Sequence, residues 1–507
     1  MTKYPLLYQL NTRVFLTELS DKIGRAATLD DILDSELDLL VERGFDWLWL
    51  LSVWQTGLAG QQISRANQEW RKDFEQTLPD LKDDDVAGSG FAITDYHVHK
   101  NLGGDEALAR LRERLGKRGV KLLLDFVPNH TGLDHHWVEK YPEYYVSGTE
   151  LDLACTPQNY TRLKTKAADL ILAYGRDPYF AGWPDTLQLN YANSATQEAM
   201  IGELLRIAEQ CDGVRCDMAM LVLPEVFERT WSKQCQQFWP EATHRVRQKF
   251  PGFCFMAEVY WDLEWTLQQQ GFDFTYDKRL YDRLCDGHAN PVREHLCASL
   301  DYQAKMARFL ENHDEPRAAA TFAPDVHQSA AVITFLSPGL RFFHQGQFEG
   351  RQKRISPHLV RGPSEPHDDT LADFYDRLLA VLRQPVVHRG QWQLLECTPA
   401  WKGNWSSNNF ICFAWQGAEN DEWMLVAVNY APDWGQCYVR VPFEDINDSA
   451  WRLRDQIGNA VYDRDGSELL AKGLYLDVPP WQAHIFSFTR LGAKTTHFNE
   501  AMSMTKR

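Results

Sequence analysis

The sequence predicts an α/β fold: a parallel (β/α)8 TIM barrel with a domain inserted after the third strand and an antiparallel β domain after the barrel. Three observations support this fold class. Short apolar runs alternate with amphipathic helical patterns over roughly the first 388 residues. Two spacers within that part are too long for simple loops. Beyond it, apolar residues recur with the period of two that is typical of antiparallel strands.

Eight apolar runs are predicted to form the barrel strands. They are, in order, "YQLNTRVFL" (8–16), "FDWLWLLSVW" (45–54), "VKLLLDFVPN" (120–129), "GVRCD" (213–217), "CFMAEVY" (254–260), "FDFTY" (272–276), "RFLENH" (308–313) and "LRFFHQG" (340–346). Amphipathic patterns such as 29–44 and 104–119 lie between most of them, and both of these end at a glycine, a common helix stop. This alternation is typical of a parallel sheet with helical connections.

Two long spacers interrupt the alternation. Residues 55–103 contain a predicted extra helix around 62–76. Residues 131–194 follow the third strand and are rich in Tyr, Trp, Pro and Asp. Because a long connection inside a compact domain is usually functional, we interpret 131–194 as an inserted domain.

The C-terminal part is predicted to be a β-sandwich. Its period-two runs are "FICFAWQG" (410–417), "EWMLVAVNY" (422–430), "QCYVRVPF" (436–443) and "AHIFSFTRL" (483–491). The predicted domain limits are 1–130 and 195–388 for the barrel, 131–194 for the inserted domain B, 389–492 for the C-terminal β domain and 493–507 for a tail.

Composition narrows the classes of function. Hydrophobic residues make up 44% and charged residues 24%, the balance of an ordinary globular protein. The formal net charge of −17 argues against nucleic acid and against anionic membrane surfaces as partners, because both require a basic surface. Several aromatic residues lie in polar stretches such as "YFAGWPD" and "VYWDLEW", where sugar rings are suitable partners.

The ends and the cysteines predict a cytoplasmic protein. The N-terminal segment "MTKYPLLYQLNTRVFLTEL" lacks the pattern of a secretory signal, and no apolar segment of 18 residues occurs elsewhere. The ten cysteines form neither a C-x-x-C pair nor a zinc-like spacing. We expect reduced structural thiols, with a disulfide framework as the alternative. The oligomeric state is left open.

Polar side chains follow four of the predicted strands, where a barrel of this kind carries its catalytic groups. They are Asp125, Asn129 and His130 after strand three, Arg215 and Asp217 at strand four, Glu258 at strand five, and His313 and Asp314 after strand seven. Because strand side chains alternate between faces, Arg215 and Asp217 project to the same side. One polar strand end is more often a cap or loop anchor than a catalyst. Four ends that each carry a carboxylate predict a catalytic site.

This set of residue types suits glycosyl transfer. Retaining glycosidases use one carboxylate as nucleophile and another as acid/base, about 5–5.5 Å apart. Arg215 would hold Asp217 ionised by lowering its pKa. A carboxylate-rich setting would raise the pKa of the acid/base. The sequence shows no serine or cysteine nucleophile pattern that competes with this interpretation.

Four segments carry a specific resemblance. "DFVPNH" (125–130), "GVRCD" (213–217), "FMAEVY" (255–260) and "ENHD" (311–314) resemble, in the same order, the four signature segments of glycoside hydrolase family 13, the α-amylase family. "GLRFFHQGQFEG" resembles the eighth-strand segment of that family, and "QLNYAN" the segment that closes its inserted domain. The resemblance covers the whole chain and implies the same fold and the same class of activity.

The resemblance implies roles for individual residues. Asp217 matches the family nucleophile, Glu258 the general acid/base, and Asp314 the third carboxylate, which binds sugar hydroxyls and favours the distorted ring. The other residues around the cleaved glucosyl unit are matched by Arg215, His130 and His313, and a mainly structural carboxylate by Asp125.

The chain departs from the family pattern near the bound sugar. Phe91 stands where a stacking tyrosine is common, so we expect stacking without the hydroxyl. Gly88 stands where exo-acting α-glucosidases carry an aspartate, which lowers the case for a strict α-glucosidase, although "NHDEPR" resembles the glucosidase form of that segment.

The acceptor side departs as well. Met220 and Leu221 replace the Lys-His pair of many amylases, which contacts the leaving sugar. We therefore expect Tyr260 and Trp261, directly after Glu258, to help form the acceptor-side subsite, with packing beneath the loop as the alternative.

Calcium is disfavoured by the residues at the positions where the family commonly binds it. Gln188 stands at the place of a common calcium-binding aspartate, and Asn129 is neutral as well. Because calcium prefers several anionic oxygens, we expect no cofactor and keep a structural calcium ion as the weaker alternative.

The leading interpretation is a retaining α-glycosidase that hydrolyses α-1,4-glucosidic bonds in malto-oligosaccharides or α-glucans through a covalent glycosyl-enzyme. The alternative is a transglycosylase or sugar phosphorylase that uses the same three carboxylates on α-glucosides. A catalytically inactive binding protein is disfavoured because the matched nucleophile and acid are both present. The sequence does not separate hydrolysis from transfer, or endo from exo action.

Overall fold

A computed structural model describes residues 3–417, 422–447 and 449–493. Most of the predicted tail, residues 494–507, lies outside these ranges. None of the helices within them is long and apolar enough to cross a bilayer.

The first part of the chain, up to the third barrel strand, alternates strands and helices. Its elements are β1 (Leu6–Asn11), α1 (Thr12–Ile23), α2 (Asp34–Glu42), β2 (Trp47–Leu51), β3 (Trp54–Thr56), α3 (Leu58–Ala66), α4 (Gln68–Thr77), β4 (Ile93–Val98), α5 (Gly104–Gly116) and β5 (Lys121–Phe126). The excursion that follows is built of short elements. They are β6 (His130–Gly132), α6 (Trp137–Lys140), α7 (Glu150–Cys155), β7 (Tyr160–Lys164), β8 (Asp169–Ala173) and β9 (Thr186–Gln188).

The chain then returns to the barrel. The elements of this part are α8 (Ser194–Gln210), β10 (Gly213–Cys216), α9 (Pro224–Trp231), α10 (Trp239–Lys249), β11 (Cys254–Ala257), α11 (Glu264–Gln269), β12 (Phe274–Tyr276), α12 (Lys278–Cys285), α13 (Ala289–His295), α14 (Leu300–Gln303), β13 (Met306–Arg308), α15 (Ala318–Thr321), α16 (Pro324–Leu336), β14 (Leu340–His344), α17 (Asp369–Leu382) and α18 (Pro385–Arg389).

The last part is mostly β-structure. Its elements are β15 (Gln391–Leu394), β16 (Cys397–Pro399), β17 (Phe410–Gln416), β18 (Trp423–Asn429), β19 (Gly435–Val439), β20 (Ser449–Asp455), β21 (Val461–Asp465), α19 (Gly466–Lys472), β22 (Leu474–Val478) and β23 (Ala483–Ala493).

The eight predicted strands form a closed parallel barrel in the order β1-β14-β13-β12-β11-β10-β5-β2. Closure pairs the first strand with the last, for example Leu7 with Phe342. The buried Arg341 reinforces this seam. Its guanidinium donates hydrogen bonds to the carbonyl oxygens of Tyr4 at 2.8 Å, Phe335 at 2.7 Å and Val387 at 3.0 Å, so the charge is fully hydrogen-bonded inside the core.

Three predicted elements differ from the structure, and in two of them a side-chain cap is the reason. The strand predicted over 8–16 ends at Asn11, whose side chain caps α1 by accepting from the Val14 amide. The helix predicted around 62–76 is two helices, broken at Asn67, whose carboxamide caps α4. The strand predicted over 308–313 ends at Arg308.

The excursion packs on the rim of the barrel. Strands β6 and β9 pair antiparallel, and β7 and β8 form a hairpin. The predicted limits 131–194 stay a prediction. The excursion begins directly after β5 and thereby places its two ends beside the carboxyl ends of the barrel strands.

The C-terminal strands form two antiparallel sheets, one in the order β15-β17-β18-β23-β20-β21 and one in the order β16-β19-β22. Side chains of both sheets share a buried core. This part is also tied to the barrel, because Trp415 donates its indole hydrogen to the Leu336 carbonyl at 2.9 Å and the Tyr430 hydroxyl donates to the Leu284 carbonyl at 2.7 Å.

Candidate active site

One guanidinium lies at the centre of the polar strand ends. Arg215, in the middle of β10, is buried and donates from Nη1 to Asp217 Oδ1 at 2.7 Å and from Nη2 to Glu258 Oε2 at 2.6 Å. The same guanidinium lies 3.7 Å from Asp125 and 3.9 Å from Asp314. The structure therefore brings together the predicted nucleophile, the predicted acid/base and both other carboxylates around one cation.

Aromatic rings enclose the guanidinium on its other sides. Its central carbon lies 5.1 Å from the ring centroid of Phe91, 5.5 Å from that of Trp49 and 5.9 Å from that of Tyr276. A cation over aromatic faces is stabilised, more so where water is excluded. The rings also leave the arginine little freedom to turn away from the carboxylates.

Glu258 is held by three donors. Besides Arg215, the Met218 amide donates to Oε2 at 2.8 Å and the Tyr260 hydroxyl donates to Oε1 at 2.8 Å. Met218 adopts the left-handed conformation, with φ of 42°, directly after Asp217. This local strain turns the backbone amide toward the acid, which is a cost that stable structures accept at functional sites.

Asp314 has a different environment from the other carboxylates. Its side chain is 41% exposed, whereas those of Asp217 and Glu258 are 8% and 4% exposed. His313 Nε2 lies 3.0 Å from Asp314 Oδ2. The other ring nitrogen of His313, Nδ1, lies 2.9 Å from Gln9 Nε2. Because the amide of Gln9 donates, Nδ1 accepts, which assigns the ring hydrogen to Nε2.

Burial dominates the pKa of each inner carboxylate. It raises the pKa of Glu258, against the lowering effect of Arg215, and the charges of Asp217 and Asp314 raise it further. It also raises the pKa of Asp217, and here too Arg215 acts to lower it. Arg215 therefore lowers the pKa of Asp217 as predicted, but the net pKa is raised, because loss of hydration outweighs the ion pair. For Asp314, burial raises the pKa, but His313 and then Arg215 lower it to about 2.

Asp125 and His130 lie deeper in the site. Asp125 accepts a hydrogen bond from the Ser52 amide at 3.2 Å, and burial raises its pKa. Burial lowers the pKa of His130 to about 3, so the imidazole is neutral at physiological pH. Its ring lies edge-on to Trp183 of the excursion, with the centroids 5.3 Å apart. Asp125 lies beside Arg215, and the roles of both residues stay predictions.

The loop that carries Phe91 cannot hold an aspartate at Gly88. Gly88 has a φ of +87°, and a Cβ there would lie 2.9 Å from the backbone nitrogen of Gln61. The Gly88 carbonyl accepts a hydrogen bond from Arg13 at 2.8 Å, which fixes the loop. Half-buried Phe91 lies beside His313, with the ring centroids 5.5 Å apart, where it presents an apolar face near the carboxylates.

The acceptor side differs in part from the sequence-based expectation. Met220 and Leu221 lie in the hydrophobic core, 0% and 3% exposed, so they pack beneath the loop rather than line the site. Tyr260 contacts Glu258 directly through its hydroxyl. Half-exposed Trp261 meets Tyr179 of the excursion, with the ring centroids 5.1 Å apart and nearly perpendicular.

Three residues at the site escaped the sequence analysis. Gln9, Trp49 and Tyr276 lie in strands that read as ordinary core. A buried glutamine in the apolar run "YQLN" was a usable signal, because a polar side chain inside a strand needs a partner. The two aromatic residues carried no such signal.

The positions associated with calcium are filled by an amide. Nε2 of Gln188 lies 2.9 Å from Asn129 Oδ1, 3.0 Å from the Asn129 carbonyl oxygen and 3.1 Å from the Leu189 carbonyl oxygen. Those oxygens face an N–H donor where a cation would have to lie, so the residues present do not fit calcium. Among the described residues, no group of three or more His, Cys, Asp or Glu is arranged to hold a metal ion.

The barrel and its buried carboxylates define the chain as a glycoside hydrolase, and the comparisons with known proteins agree. A family model described as "Alpha amylase, catalytic domain" matches residues 27–358. The chain therefore belongs to the α-amylase family, glycoside hydrolase family 13.

Relatives within the family have more than one activity in their names. "Alpha-amylase 3" of Dictyoglomus thermophilum is 22% identical over 395 residues, covering 72% of this chain and 68% of that protein. "Trehalose synthase/amylase TreS" of Mycobacterium tuberculosis is 27% identical over 359 residues, covering 62% of this chain and 51% of that protein.

Solved structures share the fold over nearly the full chain. The maltogenic α-amylase AmyB of Thermotoga neapolitana superposes with a TM-score of 0.67 at 17% identity, covering 96% of this chain and 99% of that chain. The α-amylase of Geobacillus thermoleovorans complexed with acarbose superposes with a TM-score of 0.66 at 17% identity, covering 97% of this chain and 100% of that chain.

Because the Gln188 amide lies where a calcium ion would have to bind, we expect the stability of the protein not to depend on calcium. The unfolding temperature of the protein should be the same in EDTA and in millimolar calcium. Gln188→Glu should lower it in EDTA, because a carboxylate would then face three oxygen atoms, and calcium should restore it. Differential scanning calorimetry of both proteins checks this. A fall in the unfolding temperature of the unaltered protein on adding EDTA would contradict the prediction.

Proposed function

We propose that the protein is a retaining α-glycosidase that hydrolyses α-1,4-glucosidic bonds in malto-oligosaccharides or α-glucans through a covalent glycosyl-enzyme. The observation that carries the proposal is the single guanidinium of Arg215 bonded to both Asp217 and Glu258. One bridging cation keeps the two carboxylates close. This favours the separation of about 5–5.5 Å of retaining enzymes over the longer one, about 6.5–9.5 Å, that inverting enzymes need to admit a water.

Each of the two carboxylates has one task in the first step. An oxygen of Asp217 attacks the anomeric carbon while the protonated Glu258 gives its proton to the departing glycosidic oxygen. In the second step Glu258 takes a proton from water, and the hydroxide oxygen displaces Asp217 from the anomeric carbon. Proton and charge balance over the cycle, and both carboxylates return to their starting states.

The environment of Glu258 favours its protonated form. Burial and the charges of Asp217 and Asp314 raise the pKa of Glu258, so a larger share of it is protonated near neutral pH than of a free glutamate. The second requirement, an ionised nucleophile, is met through the hydrogen bond from Arg215 to Asp217. When Glu258 holds the proton that the buried carboxylates share, Asp217 stays ionised and paired with Arg215.

Asp314 suits the role of the carboxylate that binds sugar hydroxyls. It is the exposed member of the four carboxylates, its pKa is lowered, and His313 Nε2 lies 3.0 Å from its Oδ2. The half-exposed ring of Phe91 supplies the stacking face on this side.

Transfer to a sugar or phosphate acceptor, by a transglycosylase or phosphorylase, is the second candidate. It is favoured by the relatives named trehalose synthase and by the aromatic contact at the acceptor side. Trp261 and Tyr179 are braced by Arg229, whose guanidinium carbon lies 5.7 Å and 5.3 Å from their ring centroids. Rings held in this way offer a stacking surface to a sugar that competes with water for the glycosyl-enzyme.

Replacing the nucleophile tests the first step. Asp217→Asn should fold normally, because the side chains are nearly isosteric, and should lose several orders of magnitude in turnover of maltoheptaose. Thermal unfolding serves as the folding control. Retention of more than a few per cent of activity, with no deamidation by mass spectrometry, would remove Asp217 from the nucleophile role.

The alkaline limb of the profile of kcat/KM against pH should report Glu258, because activity is lost as the acid deprotonates. Asp314→Asn removes a negative charge that raises the pKa of Glu258, so the limb should move to lower pH. Tyr260→Phe removes a donor to the carboxylate, so the limb should move to higher pH. Shifts in the same direction for the two variants, or none, would contradict Glu258 as the acid.

Product analysis separates hydrolysis from transfer. Maltoheptaose should give only shorter oligosaccharides by chromatography, with no dependence on phosphate and no products from an added acceptor sugar. Longer oligosaccharides, trehalose or a sugar phosphate would establish the second candidate.

Trp261→Ala should weaken catalysis on long substrates and change the ratio of transfer to hydrolysis, with little change in unfolding temperature. Trp265→Ala is the matched control, because Trp265 is an exposed tryptophan four residues further on, in helix α11. If Trp261→Ala instead loses about 3–5 kcal/mol of stability with an unchanged product pattern, the ring packs the loop and is not a subsite.

A further inference from the structure

Three tryptophans are exposed on the C-terminal β-structure. Trp401, Trp405 and Trp434 are 56%, 75% and 58% exposed, although an indole is among the most favourable side chains to bury. In the described part of the chain, only Trp265 joins them among tryptophans of this exposure. Single exposed apolar residues are normal, but a group of exposed indoles on one surface marks an interaction site.

Hydrogen bonds hold together the chain segments that carry the three tryptophans. The hydroxyl oxygen of Ser406, next to Trp405, accepts from the backbone amide of Gln436 at 2.8 Å and lies 3.2 Å from the Gln436 carbonyl oxygen. Trp434 lies two residues before Gln436. The segment from Trp401 onward is folded back by the amide of Asn404, which donates to the Trp401 carbonyl at 3.1 Å.

A strand face extends this group. Side chains two apart on a strand share a face, so Gln436 and Tyr438 lie on one face of β19, and Trp434 directly precedes the strand. In the neighbouring strand β22, Asp477 pairs with Gln436 and Tyr475 pairs with Tyr438. The two tyrosine rings lie 5.3 Å apart, and the Gln436 amide donates to Asp477 at 2.9 Å. We call Trp401, Trp405, Trp434, Tyr438 and Tyr475 the aromatic surface.

The loop that carries the tryptophans is fixed before any ligand binds. Asn404 Oδ1 accepts from the backbone amide and the hydroxyl of Ser406 at 2.8 Å and 2.6 Å. Arg293, on barrel helix α13, donates to the carbonyl oxygens of Asn408 at 3.1 Å and Phe410 at 2.8 Å. A rigid loop loses less entropy on binding, and this raises the affinity that exposed rings can provide.

The chemistry of this surface matches a carbohydrate chain. Pyranose rings have apolar C–H faces and a rim of hydroxyls, and the surface alternates rings with the amide of Gln436 and the carboxylate of Asp477. A nucleic acid would also stack on aromatic rings, but it requires a positively charged surface. This protein has a net charge of −17, and the carboxylate of Asp477 lies beside the aromatic surface.

We propose that the aromatic surface is a second carbohydrate-binding site, which holds an α-glucan chain by stacking and shares no residue with the carboxylate site. The choice of α-glucan as the ligand rests on the proposed function. By tethering a long or insoluble glucan, the surface raises the local concentration of substrate at the barrel, an advantage that short oligosaccharides do not provide.

The test compares Trp405→Ala/Trp434→Ala with Tyr462→Ala, an exposed aromatic residue of the other C-terminal sheet. Binding is measured in an Asp217→Asn background, which separates retention from cleavage, by pelleting with granular starch and by electrophoresis in gels that contain amylopectin. The double variant should lose at least tenfold in retention, and the control should match its parent. Unfolding temperatures should be unchanged, because the removed side chains are exposed.

With Asp217 intact, the double variant should cleave maltotriose within twofold of the parent and granular starch several-fold more slowly. Unchanged retention by starch and amylopectin overturns the inference, whatever the activity. Unchanged retention together with a smaller sedimentation coefficient assigns the surface to self-association instead. If the parent cleaves no α-glucan but is retained through the two tryptophans, the proposed function fails while the second site stands.

Discussion

The candidate site depends on one buried cation shared among four carboxylates. The guanidinium of Arg215 lies within 4 Å of Asp125, Asp217, Glu258 and Asp314. A buried charge is tolerated only where it is paired and hydrogen-bonded, so the arginine needs these partners. One cation cannot neutralise four anions in a medium of low dielectric constant, and so the set favours retaining a proton. The excess of carboxylates over cations is therefore the physical basis of the acid role proposed for Glu258.

Position within the set decides where that proton lies. Asp314 is more exposed than the other carboxylates, and although burial raises its pKa, His313 and Arg215 lower it. Glu258 and Asp217 are almost fully buried, and both have raised pKa values. Because the two interact through Arg215, they titrate as a unit rather than separately. Roles as acid and nucleophile then follow from which carboxylate faces the leaving oxygen.

Structural features that depend on the local pattern of apolar and charged residues were predictable from the sequence. The eight barrel strands and the grouping of Arg215 with its carboxylates follow from apolar runs that end in charges. Features that depend on tertiary contacts were not. The break at Asn67 depends on a cap, the burial of Met220 on packing beneath its loop, and the raised pKa of Asp217 on the depth of the site. A sequence gives the neighbours of a residue along the chain but not the water that folding removes from it.

In the proposed mechanism, residues outside the four carboxylates decide whether the glycosyl-enzyme reacts with water or with a sugar. The residues that many amylases use to contact the leaving sugar are replaced here by core side chains, so the polar contacts of that side are absent from these positions. What remains is a contact between Trp261 of the barrel and Tyr179 of the excursion, braced by Arg229 of helix α9. Three elements far apart in sequence meet there, and each has freedom to vary without disturbing Arg215. The chemistry is thus fixed by the barrel, while the choice of acceptor is left to the excursion and its contacts.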